Sequence, residues 1–126
     1  MVLMPFSLES AFYIVCAAVA LGSGLAIQFI RGPMVRRPPR PVAAIHGVLG
    51  AAGLAALLEM LRHGLPPSAM GTTGFTPASA ILFALALALG LLMALRQRRP
   101  AGVLVAIHAS LAIAGFVVLW TVVSLG

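Results

Sequence analysis

Two histidines occupy equivalent positions in a repeated sequence. His46 lies eight residues after the proline of Arg36-Arg37-Pro38, and His108 lies eight residues after the proline of Arg98-Arg99-Pro100. The two stretches align without a gap at an offset of 62 residues. Imidazole can bind a metal, form hydrogen bonds or carry a proton. The repetition therefore indicates two halves of one site.

Small residues accompany each histidine. Gly53 and Gly115 follow the histidines by seven residues, and Gly50 and Ala112 follow them by four. On a helix, seven residues return the chain to nearly the same face, two turns along. We therefore expect these positions to leave room for a flat macrocycle beside the histidines.

The composition predicts a membrane protein. Of the 126 residues, 62% are hydrophobic and 8% are charged. A soluble domain of this size cannot bury so much apolar surface, so we expect a lipid bilayer around the chain. The basic residues are eight arginines in short runs between apolar stretches, and the net charge is +6. This pattern indicates membrane topology and phospholipid contacts, and we expect no nucleic-acid partner.

Four apolar stretches are long enough to cross the bilayer, at residues 11–30, 42–60, 78–95 and 101–125. A spanning helix needs about 20 residues, and four segments cannot close a barrel. The first stretch follows Glu9 instead of a basic region, so we expect it to be retained and not cleaved. The fold class predicted is all-α, an integral membrane four-helix bundle in a single transmembrane domain, 1–126.

The bundle is predicted to consist of two tandem transmembrane hairpins, with repeats at about 11–63 and 77–125. Each repeat contains two helices, so both have the same orientation, and a pseudo-twofold axis along the membrane normal would relate them. A small-residue row in the first helix would allow close helix packing. At the 62-residue offset, the row Ala18, Gly22 and Ala26 corresponds to Ala80, Ala84 and Ala88.

Arginine counts predict the orientation. Four arginines flank or occupy the first connection, three the third and one the second, and the termini contain none. The positive-inside rule places the 31–41 and 96–101 connections in the cytoplasm. Both termini and the 64–76 connection would then lie outside. The predicted location is a bacterial inner (cytoplasmic) membrane, crossed several times.

The pseudo-symmetry places His46 and His108 at the same depth on the second and fourth helices. Neighbouring helix axes are about 8–10 Å apart, so opposite corners of a bundle are about 11–14 Å apart. Two imidazoles bound to one haem iron span a gap of that size. Two alternatives remain open: each histidine bonds a carbonyl of a neighbouring helix, or the pair binds another metal. Zinc requires at least three protein ligands, and only two are offered here.

A duplicated helix hairpin with one inward histidine in each second helix resembles the small four-helix b-type cytochromes of bacterial membranes. The resemblance covers most of the chain. It implies one non-covalent haem b, with His46 and His108 as axial ligands, and electron transfer to or from a quinone or a larger membrane complex. Di-haem members carry more than one histidine pair, so a second haem is not expected. The propionates of the haem would lie near Arg37 and Arg99, whose guanidinium groups can hold carboxylates.

The expected function is therefore that of an electron-transfer subunit in a respiratory or photosynthetic complex. The sequence contains no independent catalytic constellation, so the chain would be at most such a subunit of an oxidoreductase. The alternatives are a cofactor-free accessory subunit that packs against larger membrane partners, and a carrier of haem or another small molecule. Homo-oligomerisation is left open.

A second polar group is expected near the end of the second helix. Glu59, Arg62 and His63 are spaced three and four residues apart, so they share one helical surface. This group fits either an interfacial polar cluster or a site for proton handling or a quinone head.

Overall fold

The computed structural model describes residues 7–32, 39–64, 71, 73–96 and 100–125. In these residues the secondary structure consists of four helices and no strand, which confirms the all-α prediction. All four helices are long and apolar enough to cross a membrane, as in a multi-pass membrane protein. The helices are α1 (Leu8–Arg31), α2 (Arg40–His63), α3 (Phe75–Leu95) and α4 (Gly102–Leu125). Three predicted spans lie within the observed helices, and the fourth begins one residue too early.

Local sequence explains several helix ends. Ser7 and Ser10 form a reciprocal cap at the start of α1, with backbone-to-hydroxyl distances of 2.8 and 3.1 Å. Pro41 lies in the first turn of α2, where a missing amide hydrogen costs little. Gly64 ends α2 with a φ of 84°, a backbone conformation that residues with a Cβ rarely adopt.

The four helices pack in a ring. Helix α1 packs against α2 and α4, and α3 packs against the same two helices. Helices α2 and α4 therefore occupy opposite corners, as predicted for the two that carry the histidines.

The two ends of the bundle differ in charge. At one end, here called the arginine end, α1 and α3 finish and α2 and α4 begin, close to Arg31, Arg40 and Arg96. At the other end, here called the Glu59 end, α2 finishes at His63 and α1 begins beside Glu9.

Tight packing is confined to the half of the bundle nearer the Glu59 end. Its core cluster contains Ala11, Val15, Ala56, Leu57 and Leu119, of which all but Val15 are fully inaccessible. In contrast, no described residue is buried within 19–32, 40–52, 87–96 or 100–114. The Glu59 half of the bundle therefore has a packed core, whereas the described side chains of the arginine half are partly or fully accessible.

Candidate cofactor site

The structure brings His46 and His108 together across the bundle. Their ring centroids are 5.9 Å apart and their planes are nearly perpendicular, at 78°. Both side chains are partly buried, and each lies beside the last buried residue of a neighbouring helix, Ala18 of α1 for His46 and Ala86 of α3 for His108. The predicted pairing of these two residues is thus present in the geometry.

Each histidine is held by a backbone carbonyl of its own hairpin. Nδ1 of His46 donates to the oxygen of Ala18, and Nδ1 of His108 donates to the oxygen of Ala86, both at 2.8 Å. A carbonyl oxygen can only accept, so the proton lies on Nδ1 in both rings. When the ring is neutral, Nε2 retains its lone pair, the arrangement found in metal-binding histidines. The carbonyl bonds proposed as an alternative are therefore formed, and they leave one nitrogen of each ring for a ligand.

Two glycines that the histidine repeat does not predict lie directly over the rings. A Cβ atom built on Gly22 of α1 would be 2.7 Å from Cε1 of His46. A Cβ atom built on Gly90 of α3 would be 3.1 Å from Cε1 of His108. Each glycine lies four residues after the carbonyl that holds the same histidine. At the level of the two histidines, α2 and α4 therefore supply imidazole rings, and α1 and α3 supply glycines.

Gly53, Gly115 and Gly50, predicted to make room for a macrocycle, face other helices. A Cβ on Gly53 would be 2.8 Å from Cγ2 of Val15, and one on Gly115 would be 3.2 Å from Cβ of Leu82. Ser79 Oγ donates to the carbonyl of Gly115 at 2.9 Å. Gly50 is more open, and its nearest neighbour would be Leu87 Cδ1 at 3.9 Å. Gly53 and Gly115 thus permit close helix packing within each hairpin.

The histidine contacts recur in both hairpins, but with two different offsets. The histidines are 62 residues apart, whereas Ala18 and Ala86 are 68 apart, as are Gly22 and Gly90. The predicted match of the α1 row to Ala80, Ala84 and Ala88 is therefore wrong, and Ala84 and Ala88 are exposed. A six-residue gap would have revealed the correct match, because residues 18–22 read AVALG and residues 86–90 read ALALG.

The predicted arginine partners fall in a part of the chain for which the structure gives no description. Arg37 and Arg99 lie outside the described residues. Of the arginines at the same end, Arg31, Arg40 and Arg96 are described and exposed.

The predicted polar cluster at the Glu59 end is confirmed. His63 Nε2 lies 2.9 Å from Glu59 Oε1, and Arg62 Nη1 lies 3.9 Å from Glu59 Oε2. The three side chains are between 44% and 81% exposed, so the contacts are those of a surface cluster. His63 is 17 residues beyond His46 on the same helix, about 26 Å along the axis, and is separate from the histidine pair.

Comparison of the chain with protein-family models, curated proteins and solved structures found no match.

Proposed function

We propose that this protein is a membrane-embedded b-type cytochrome that binds one haem b between His46 and His108. It would act as an electron-transfer subunit in a bacterial inner membrane. The observation that carries the proposal is the doubled histidine arrangement. Two imidazoles on opposite helices each bond a carbonyl through Nδ1 and lie 5.9 Å apart, with Nε2 left for iron.

The separation of the rings fits bis-imidazole ligation. With metal–nitrogen bonds of about 2 Å, two imidazoles on opposite sides of one metal ion have ring centroids roughly 6 Å apart. The measured 5.9 Å agrees with that value. The spacing of the two rings across α2 and α4 therefore supports their proposed role as a pair of axial ligands.

The surroundings of the rings support a ligand site built on the histidines. Gly22 and Gly90, on the two helices between the histidine-bearing corners, lack the side chains that would clash with the imidazoles, so each ring lies directly against a neighbouring backbone. Toward the arginine end, the described residues beyond Ala18 and Ala86 are not buried, so a group bound on that side would not displace a packed core.

The chain would supply orientation, ligand basicity and a low dielectric. The bond from Nδ1 to a carbonyl fixes the ring orientation and increases the electron density on Nε2. The packed core at Leu57 and Leu119 excludes water from the Glu59 half. When bound, haem provides an iron that gains and loses one electron, and the protein controls its potential through ligands and burial.

The sidedness follows from charge. We propose that the arginine end is cytoplasmic, because seven of the eight arginines flank or occupy the two connections there. Arg37 and Arg99 are the proposed partners of the propionates. The proposed redox partner is a quinone or a centre in a larger membrane complex, and a pseudo-twofold axis is proposed to relate the two hairpins.

The experiment is an absorption spectrum of the purified protein, first oxidised and then reduced with dithionite. A low-spin b-type spectrum with one haem per chain is the expected result. A featureless visible region, after expression with ample haem, would reject the proposal.

A second candidate is a cofactor-free accessory subunit. It is favoured by two glycines with open space around them, because no heavy atom would lie within 4 Å of a Cβ on Gly24 or Gly47. Glycines with open space around them on spanning helices allow a partner helix to approach closely. The same spectrum separates the two functions, since the accessory subunit would purify with its partners and without haem.

A further inference from the structure

The cations described at the arginine end come from three of the four helices. Arg31 ends α1, Arg40 begins α2 and Arg96 follows α3, and all three are exposed. Four more arginines belong to the same connections in the sequence, whereas the only two acids of the chain, Glu9 and Glu59, belong to the opposite end. The arginine end is therefore strongly basic and contains no acid of its own.

These cations lack partners that would neutralise them within the described chain. The ion pairs found among the described residues involve Glu59, at the opposite end. Arg40 lies in the first turn of α2, which contains no acid, and the helix dipole disfavours a cation there. The positive charge at this end is therefore open to an anion from outside the chain.

The arginine end is also the nearer surface to the histidine pair. Arg40 precedes His46 by six residues and Arg96 follows Gly90 by six, each about 9 Å along a helix axis. From the Glu59 end, the path is closed by Leu57 and Leu119, both 0% exposed. A water-soluble partner thus comes closest to the histidine layer at the arginine end.

We infer that the arginine end is the docking surface for an acidic, water-soluble electron-carrier protein. The inference rests on the proposed function, because electron transfer is the reason for docking. Binding itself requires only the basic surface. Exposed charges of this kind steer an oppositely charged protein and make its association dependent on salt. Lipid phosphates also attract arginine, but these exposed cations lie at the helix ends, where water-soluble proteins have access.

The test uses the full chain in nanodiscs of zwitterionic phosphatidylcholine, which expose both ends of the bundle. The probe is an acidic [2Fe–2S] ferredoxin, and its binding is measured by biolayer interferometry at low and high salt. Wild-type protein should bind at low salt and lose at least tenfold in affinity at high salt. The combined change Arg31→Gln, Arg40→Gln and Arg96→Gln should weaken binding by about tenfold, equivalent to about 1.4 kcal/mol. Arg62→Gln at the opposite end is the matched control and should bind as wild type does.

Absence of binding by the wild type, binding that does not depend on salt, or an equal loss with Arg62→Gln would overturn the inference. So would a result in which the triple variant loses affinity only for vesicles that contain phosphatidylglycerol, since lipid would then be the anion. If the triple variant does not fold, Arg40→Gln alone should still weaken binding measurably. Binding can be measured with haem-free protein, so a failure of docking is distinguishable from a failure of the haem proposal.

Discussion

Gly22 lies against the ring of His46 so closely that a Cβ atom at that position would be 2.7 Å from Cε1 of the imidazole. Ordinary van der Waals contact begins at about 3.5 Å, so a side chain at residue 22 is incompatible with the observed ring position. The ring cannot yield freely, because its Nδ1 is bonded to the carbonyl of Ala18 one turn away. The observed position of His46 on α2 therefore requires a glycine at residue 22 of α1.

Gly22→Ala should therefore displace His46 and weaken haem binding. Overpacking of this kind costs about 1–3 kcal/mol, so we expect a loss of roughly tenfold or more in haem affinity. Gly90→Ala should act in the same direction but less strongly, since the clash with His108 is at 3.1 Å. Haem titration of the apoprotein measures both.

Gly24→Ala and Gly47→Ala are the matched controls, because a Cβ at either position meets no atom within 4 Å. An equal loss of haem affinity in the controls would show that helix propensity or insertion is responsible, and would remove the role assigned to Gly22.

His46→Ala and His108→Ala should each abolish the low-spin spectrum, because each removes one of the two proposed axial ligands. His63→Ala should leave the spectrum intact, since His63 contacts Glu59 and lies about 26 Å along α2 from His46. Electron paramagnetic resonance of the ferric protein distinguishes low-spin from high-spin iron. A normal low-spin signal in either of the first two variants would exclude that residue as a ligand.

Gly53→Ala should destabilise the first hairpin irrespective of haem. A Cβ at residue 53 would be 2.8 Å from Cγ2 of Val15, a side chain that is itself only 3% exposed. The expected cost is about 1–3 kcal/mol of unfolding free energy. Thermal unfolding of the haem-free protein in detergent measures it, with Ala52→Leu as the control because Ala52 is exposed. If the two variants melt at the same temperature, the tight packing at Gly53 does not contribute to stability.

The sequence predicts the helices well, because their main determinant is length and apolarity. Residues 78–95 are recognisable as a span without knowledge of any contact, and α3 contains them all. It also predicts the approach of His46 and His108, because both belong to helices that align without a gap. Helix ends are less accurate, as at Gly102, because caps and connections contribute little to hydropathy.

The α1–α3 relationship was not predicted correctly because the contacts of α1 and α3 with the histidines recur at an offset of 68 residues, whereas the histidines themselves are 62 apart. From the carbonyl that holds the histidine, the chain takes 28 residues to reach His46 but 22 to reach His108. After its ring-facing glycine, α1 continues nine residues to Arg31, whereas α3 continues five from Gly90 to Leu95. Gly90 corresponds to Gly22 only at an offset of 68 residues. A comparison at the histidine offset of 62 residues therefore does not reveal that Gly90 lies against His108.

Ser79→Ala should lower the free energy of unfolding only slightly. Ser79 Oγ donates to the carbonyl of Gly115 at 2.9 Å and is fully buried. At the 68-residue offset, Ser79 corresponds to Ala11, which is equally buried and has no hydroxyl. Because hydrogen bonds between membrane helices contribute about 0.6 kcal/mol on average, we expect a loss near that value. Thermal unfolding beside wild type tests it, and a loss of several kcal/mol would contradict the equivalence of the two positions.

The side of the membrane nearer to the haem can be tested independently of ligation. His46 lies six residues after the start of α2 and His108 six residues after the start of α4, about 9 Å along each helix axis, so we expect the iron in the proposed cytoplasmic half of the bilayer. In oriented membrane vesicles, a water-soluble dysprosium complex should enhance the relaxation of the haem signal more from the cytoplasmic side than from the outside. Stronger relaxation from the outside would contradict the sidedness.

Haem propionates are anionic and are stabilised by nearby cations, so Arg37→Gln combined with Arg99→Gln should shift the midpoint potential. Arg62→Gln is the control at the opposite end. An unchanged potential in the double variant would leave the sidedness intact and eliminate the propionate contacts alone.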